Sequence, residues 1–460
     1  MERYHPGQLR RLLGFACAAA GFALLTRNAQ AAGGDTGAGD TTLVVLALVL
    51  VVAAAYLLTH FVVERLQRRF LVLTGFEYIA LGVLLGPQVP YRIPAFSDIE
   101  QLLPIVALAL GWVGLLRGME LSHRSYRAQP LTGTGRMVLV QALFAGGITA
   151  AAAYFVFAGG YFFAHEPIDG ISGARSLWMA VGVLGCAAAA GSVAPLEVLE
   201  RRYQLRGEMR ERIRRIARLS DPLAILVFGL LFCILHPYDP NAPVQPNAAQ
   251  WALISLGLGG LLGILFTTFL GEDDSESGRF LAMVGIIVLA SGAAYFLDLS
   301  PLLVNLTLGA VLVNTRRGPQ IRETLERTKR PMALVLLIFA GALWKPVDPL
   351  EGALVCAAYV ALRFVGKFIG STVASWISPL RRDSYRGLIA HGEVSVAMAI
   401  SVRLVFQGEA VDLAYTAILV SVMFNDWFAP RALRSLLVDA GDLRSEVKEV
   451  AQPKEAKGRA

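Results

Sequence analysis

The sequence predicts an all-α polytopic membrane protein, and three observations carry that prediction. Only 17% of its 460 residues are charged and 55% are hydrophobic, against about 25% charged in a soluble domain. The mean hydropathy is +0.56, and the apolar residues gather in blocks of about 20, the length of a membrane-crossing helix. Short charged loops separate these blocks. Lipid offers the backbone no hydrogen-bond partner, so runs this long must close their own bonds as helices.

Taken in order, the chain opens on a leader. Arg10 and Arg11 precede a short apolar run, 12–25, and then Ala29-Gln30-Ala31. A basic start, a run too short to span comfortably and a small-residue cleavage site together predict a signal peptide over residues 1–31; an uncleaved extra helix is the alternative. About thirteen spans follow, at 42–63, 71–87, 100–118, 136–158, 175–198, 212–236, 248–270, 280–298, 301–315, 331–345, 350–378, 387–407 and 411–430. The eighth and ninth meet at Leu299-Ser300-Pro301, where a sharp turn is required. The membrane domain is therefore expected over 32–435 and a cytoplasmic tail over 436–460. The tail is charged and lacks periodicity, and no nucleotide-binding domain is expected in it.

Basic residues set the orientation. Alternate loops hold Arg65, Arg68 and Arg69; Arg124, Arg127 and Arg136; a dense set from Arg201 to Arg218; Arg316 to Arg330; and Arg381, Arg382 and Arg386. The loops at 237–249 and 407–412 contain no Lys or Arg. Basic loops stay cytoplasmic, so the N-terminus is expected outside and the C-terminus inside. The net charge of +7 thus faces anionic lipid and gives no reason to expect nucleic acid. Cys17, Cys186, Cys233 and Cys356 each lie in an apolar block, where packing is the simplest role. With neither a nucleophile–base pair nor a metal-ligand cluster in the sequence, no enzyme activity, metal or cofactor is expected.

Two spans carry helix breakers. The fifth contains Gly191-Ser192-Val193-Ala194-Pro195 and the twelfth His391-Gly392-Glu393. Irregular backbone at membrane depth is tolerated where it lines a cavity. Two interrupted helices in matching positions of inverted halves point to a transporter's ion site; simple kinking is the alternative. The halves are spans 4–6 and 11–13, a core at approximately 136–236 and 350–430 in which Gly191, Pro195 and Gly392 mark two crossing breaks. Intramembrane charges fall in the same spans: Asp221, Arg363 with Lys367 at i, i+4, Glu393 and Asp426. Each has a structural alternative. Ser220-Asp221-Pro222 reads as a helix N-cap, although 210–219 already reads as helical. Arg363 and Lys367 can snorkel, and Asp426 lies near an expected span end. Gly259 and Gly263 suit helix packing.

These residues give the chain a resemblance. From about Gly75 to Leu437 it resembles the monovalent cation:proton antiporter superfamily, the sodium/proton exchangers and Kef-type potassium efflux proteins. The matching segments are Leu81 to Pro87, Gly118-Met119-Glu120-Leu121, Gly191-Ser192 through Leu219-Ser220-Asp221, Leu299-Ser300-Pro301 with Leu308 to Asn314, Arg363 with Lys367, and His391-Gly392-Glu393. The resemblance implies that Asp221 carries the ion and the proton with the broken helices crossing beside it, and Ser220, Ser192 and Glu393 are the further groups expected at that ion site. It implies that Lys367 or Arg363 compensates charge, and that a six-helix core moves against a scaffold that also dimerises. Ser220 stands where the family usually has Asp, Asn or Gln, and Pro222 is also unusual.

The function expected is exchange of Na+ or K+ for protons across the cell (inner) membrane, by a homodimer. A cation-coupled symporter of an organic anion and a non-transporting membrane scaffold subunit are the alternatives. The arginine asymmetry makes a direct prediction. A single cysteine placed within 200–219 is expected to resist an impermeant thiol reagent in intact cells and to react in inverted vesicles; labelling from outside refutes the orientation.

Overall fold

Apolar runs in lipid leave the backbone no partner but itself, and the described residues answer with fourteen α-helices and no strand. The structure is a computed structural model and describes residues 75–86, 102–123, 131–158, 170–203, 205–237, 245–269, 276–377 and 381–443. All lie within one compact unit, Val52–Ala460. The expected signal peptide, the span at 42–63, the loop with Arg65, Arg68 and Arg69, Arg124 and Arg127, and Cys17 lie outside the described residues.

The helices are α1 Phe76–Leu85, α2 Leu103–Gly118, α3 Leu131–Ala158, α4 Gly170–Ala189, α5 Ala194–Arg202, α6 Glu208–Ile234 and α7 Ala248–Phe269. Then follow α8 Glu276–Phe296, α9 Pro301–Val313, α10 Gly318–Ala342, α11 Pro349–Ile377, α12 Tyr385–Leu388, α13 Glu393–Val405 and α14 Glu409–Asp439. Seven are long and apolar enough to cross a membrane, with α4 and α5 taken together as one, or eight counting α12 and α13, which meet at a 62° bend. Thirteen spans are thus not reached among the described residues. The 16 residues of α2 extend about 24 Å, short of a hydrocarbon core of about 30 Å, and α9 is shorter still. Helix α10 begins well before the expected 331. Its first half is polar, held by Arg322–Glu326 and Arg327–Glu323 pairs one turn apart, and Pro331 stands inside it.

Local chemistry sets the ends. The turn between α8 and α9 places Asp298 at φ 49°, a left-handed conformation that Asp tolerates. Pro301 then opens α9, where its missing N–H loses nothing. The last helix runs past the expected 430 to Asp439. Its end is tied down by Asp439, which accepts from Arg386 Nη1 at 2.7 Å, and by Asp442, which accepts from the Arg210 N–H at 2.7 Å.

Two sets of helices form. In one, α3 packs on α4 and α11, and α14 packs on α11, α4 and α13. In the other, α2 packs on α9 and α8, α9 on α7, and α10 on α1. The sets meet where α2 and α10 reach α13, and α6 lies between them, packing on α3 and α4 of one and on α7 and α9 of the other. Lipid supplies no hydrophobic drive between helices, so close approach through small residues has to hold them. A Cβ on Gly82 of α1 would lie 2.0 Å from the Ile338 carbonyl of α10, and one on Gly341 would lie 2.0 Å from the Ile79 carbonyl. Gly118 and Gly309 face each other likewise across α2 and α9, and Gly259 and Gly263 of α7 lie against Val304 and Val311.

This packing predicts a contrast in stability. Gly82→Ala forces backbone to move and is expected to cost about 1–3 kcal/mol, seen as a lower melting temperature of the purified protein. Gly260→Ala, which meets open space, is expected to leave it unchanged. Equal melting temperatures for the two variants would refute the close-packed crossing.

Candidate functional site

Two interruptions of the backbone build the site. Helix α4 stops at Ala189 and α5 resumes at Ala194, with Gly191 in the gap and Pro195 in the first turn of α5. Helix α12 stops at Leu388 and α13 starts at Glu393, with Gly392 at its N-cap. The gaps touch. A Cβ on Gly392 would lie 3.1 Å from Ser192 Cβ and Oγ and 3.3 Å from the Gly191 carbonyl. A side chain there would push its neighbours back by a few tenths of an ångström, so glycine suits the crossing.

Each gap leaves carbonyls without helical partners, and buried side chains take them up. Lys367 Nζ donates to the carbonyls of Ala189 at 3.0 Å and Ala190 at 3.1 Å. Arg363 donates to Ile389, to Ala390 at 3.0 Å and to Ala190 at 3.4 Å. His391 Nε2 lies 2.9 Å from the Ala187 carbonyl, which also accepts from Ser395 Oγ at 3.3 Å. Lys367 and Arg363 are 1% and 2% exposed. They sit one turn apart on α11, so one helix face supplies both charges to the negative ends of the broken helices.

The carboxylates lie beside the same crossing. Asp221, 1% exposed, lies inside α6, so it is no N-cap. Pro222 beside it has no N–H, which removes the bond to the Arg218 carbonyl. Asp221 Oδ1 accepts the Gly191 N–H at 3.2 Å. Ser192 Oγ accepts from the Ala194 N–H at 3.2 Å, and Ser220 Oγ donates to the Ile216 carbonyl one turn back at 2.8 Å. Glu393 stands in the first turn of α13, where the positive helix end favours an acid.

One residue that the sequence analysis did not single out joins the two acids. Arg117, 5% exposed near the end of α2, donates from Nη2 to Glu393 Oε1 at 2.8 Å and from Nη1 to Glu120 Oε1 at 2.8 Å. Its Nε lies 3.3 Å from Asp221 Oδ2, an ion-pair distance without hydrogen-bond alignment. Next to Gly118 at a helix end, a basic residue reads as an interfacial anchor. The available signal was Glu120 three residues on, a carboxylate that holds the guanidinium in place.

The expected groups are therefore gathered in part. Asp221, Glu393, Ser192, Ser220, Gly191, Pro195 and Gly392 lie at or beside the crossing. Lys367 and Arg363 also reach it, but their hydrogen bonds go to gap carbonyls and not to Asp221; the basic group paired with Asp221 is Arg117. Asp426 lies elsewhere, its Oδ2 against Gly75.

The chain is similar to known proteins. The family model described as "Sodium/hydrogen exchanger, transmembrane" matches residues 76–438. No curated protein matches the sequence. Among solved structures, the sodium proton antiporter MjNhaP1 from Methanocaldococcus jannaschii at pH 8 superposes with a TM-score of 0.55 at 16% identity, covering 85% of this chain and 99% of that one. An electron-microscopy map of the same antiporter gives a TM-score of 0.55 at 17% identity, covering 88% and 99%. At such identity the likeness concerns the fold alone, whereas the family match spans most of the chain. The chain belongs to the sodium/hydrogen exchanger family.

Proposed function

We propose that this protein is a secondary active transporter that exchanges a monovalent cation, Na+ or K+, for protons by alternating access, with Asp221 as the carrier of both. The observation that carries this reading is the buried Asp221 carboxylate, held against the Gly191 N–H where the two broken helices cross. A buried carboxylate that takes up a proton gives up its attraction for a cation, and one that holds a cation repels the proton. That competition couples the two ions. Hydroxyls supply further oxygens: Ser220 gives its proton to Ile216 and keeps lone pairs for a cation, and Ser192 lies against the other gap. Family membership and the fold shared with a sodium proton antiporter support exchange.

The basic groups at the gaps favour cation over anion handling. Lys367 and Arg363 donate to backbone carbonyls, which leaves them stabilising the broken helices in place of binding an organic anion. The leader, the arginine asymmetry and the resemblance support a multi-pass protein of the cell (inner) membrane, working as a homodimer with its N-terminus outside.

Two predictions follow from the carrier. Asp221→Asn is expected to abolish cation-driven proton flux in proteoliposomes while the protein purifies and melts as a folded species. Retained flux would remove Asp221 from the mechanism. Exchange is also expected to be electroneutral. Arg117 hydrogen-bonds both Glu393 and Glu120 at 2.8 Å and has only an unaligned contact with Asp221, so Asp221 is taken as the one carboxylate that changes occupant. Moving unpaired charge through the field costs about 2.3 kcal/mol per 100 mV. Clamping the potential at zero with valinomycin should therefore leave the rate unchanged; a several-fold acceleration would mean that net charge moves.

A further inference from the structure

A cavity of about 490 Å³ opens on the face expected to be cytoplasmic, and none of the residues gathered at the crossing lines it. Its walls come from two helices. The end of α5 supplies Glu200 and Arg201, the first turns of α6 supply Arg210 and Arg214, and the loop between them supplies Arg206. Tyr203 and Leu205, 8% and 5% exposed, complete the lining. The Arg434 guanidinium lies 5.8 Å from the centre of the Tyr203 ring.

Four arginines thus share the cavity with one carboxylate. Glu200 is divided between Arg214 and Arg210, and Arg210 Nε, buried, lies 3.3 Å from Glu200 Oε1 without hydrogen-bond alignment. Glu211 stands outside the lining, 3.6 Å from Arg210 Nη2. Arg201 and Arg206 are exposed, and their side chains take no hydrogen bond or ion pair among the described residues. The frame around them is held in place. Arg210 Nη1 donates to the Leu205 carbonyl at 2.8 Å. Asp442 accepts the Arg210 N–H at 2.7 Å through Oδ2 and the Arg206 N–H at 3.4 Å through its carbonyl.

The tendency of basic loops to stay cytoplasmic explains why arginine is frequent here. It gives no reason for four arginines to surround one hollow, where like charges repel. An occupant with negative charge and several acceptor oxygens offsets that repulsion, and a phosphate group presents both in a geometry that the arginine fork matches. The volume falls within the range of about 300–1,000 Å³ that holds small ligands. We propose that this cavity binds a phosphate-bearing anion, a lipid headgroup or a soluble phosphate, that bridges the end of α5 and the start of α6. Helix α5 begins at the first gap and α6 carries Asp221, so the occupant ties together two helices of the ion site at a point remote from it.

The test is the melting temperature of the purified full chain in neutral detergent, titrated with inorganic phosphate or with dioctanoyl phosphatidylglycerol at constant Na+ and ionic strength. Dioctanoyl phosphatidylcholine controls for the acyl chains. A saturable rise is expected with at least one anionic probe, and the probe that gives it identifies the source. Arg201→Gln with Arg206→Gln removes two charges that hold no partner. That variant is expected to melt like the parent without probe and to bind the probe about tenfold or more weakly. Arg316→Gln with Arg382→Gln removes the same charge from exposed positions elsewhere on that face and is expected to bind like the parent. Should the first variant fold poorly, Arg201→Lys with Arg206→Lys keeps the charge without the fork, and weakened binding is again expected. The proposal is overturned if neither probe gives a saturable rise, or if the cavity variants bind like the parent. Equal weakening in the cavity pair and the distant pair also overturns it, because the effect then belongs to general surface charge.

Discussion

A backbone interrupted at membrane depth exposes peptide groups that lipid will not hydrogen-bond, each at a cost of several kcal/mol if left unmet. Nearly every feature of the site is a response to that constraint. The gaps at 190–193 and 389–392 bring four helix ends together in a buried space, two exposing carbonyls and two exposing N–H groups. Cations are drawn to the first kind and carboxylates to the second. Lys367 and Arg363 meet the carbonyls, while Asp221 meets the Gly191 N–H and Glu393 opens α13. Binding chemistry and backbone satisfaction are thus the same set of contacts.

That identity accounts for the division of labour among the basic groups. Lys367 and Arg363 direct their hydrogen bonds to carbonyl oxygens of the two gaps. Arg117 has no such duty. Its partners are three carboxylates, more negative charge than one guanidinium neutralises, so the cluster retains affinity for a further positive species. A proton or a small cation fits that description, and an anion does not.

Close helix crossings make the site rigid enough for this to matter. Gly82 against Gly341, and Gly118 against Gly309, bring backbones to distances that no side chain would permit. Gly118 adjoins Arg117, so the same crossing that seats α2 on α9 also sets where the guanidinium points. Gly392 imposes a milder version of the same constraint on the two gaps. Small residues act here as distance constraints, and the charged groups inherit their geometry.

Much of this was legible in the sequence because its causes are local. Apolar block length fixes the helical membrane class, Gly and Pro mark the gaps, and a charge inside an apolar run marks Asp221, Glu393, Arg363 and Lys367 whatever surrounds them. Pairing was not legible. Arg117 and Glu393 are 276 positions apart, and nothing in the spacing says that α2 will lie against the start of α13. The sequence analysis therefore matched Asp221 with the basic pair on α11, whose hydrogen bonds go to gap carbonyls, and passed over an arginine that resembled an end-of-span anchor. Helix number was blurred for a related reason, since α2 and α9 are short and α10 begins in a polar stretch, and only packing makes them part of the bundle. Composition and periodicity decide what each segment must become in lipid. Which charges meet is decided by how the segments pack, because an ion pair depends on separation in space and the sequence records separation along the chain.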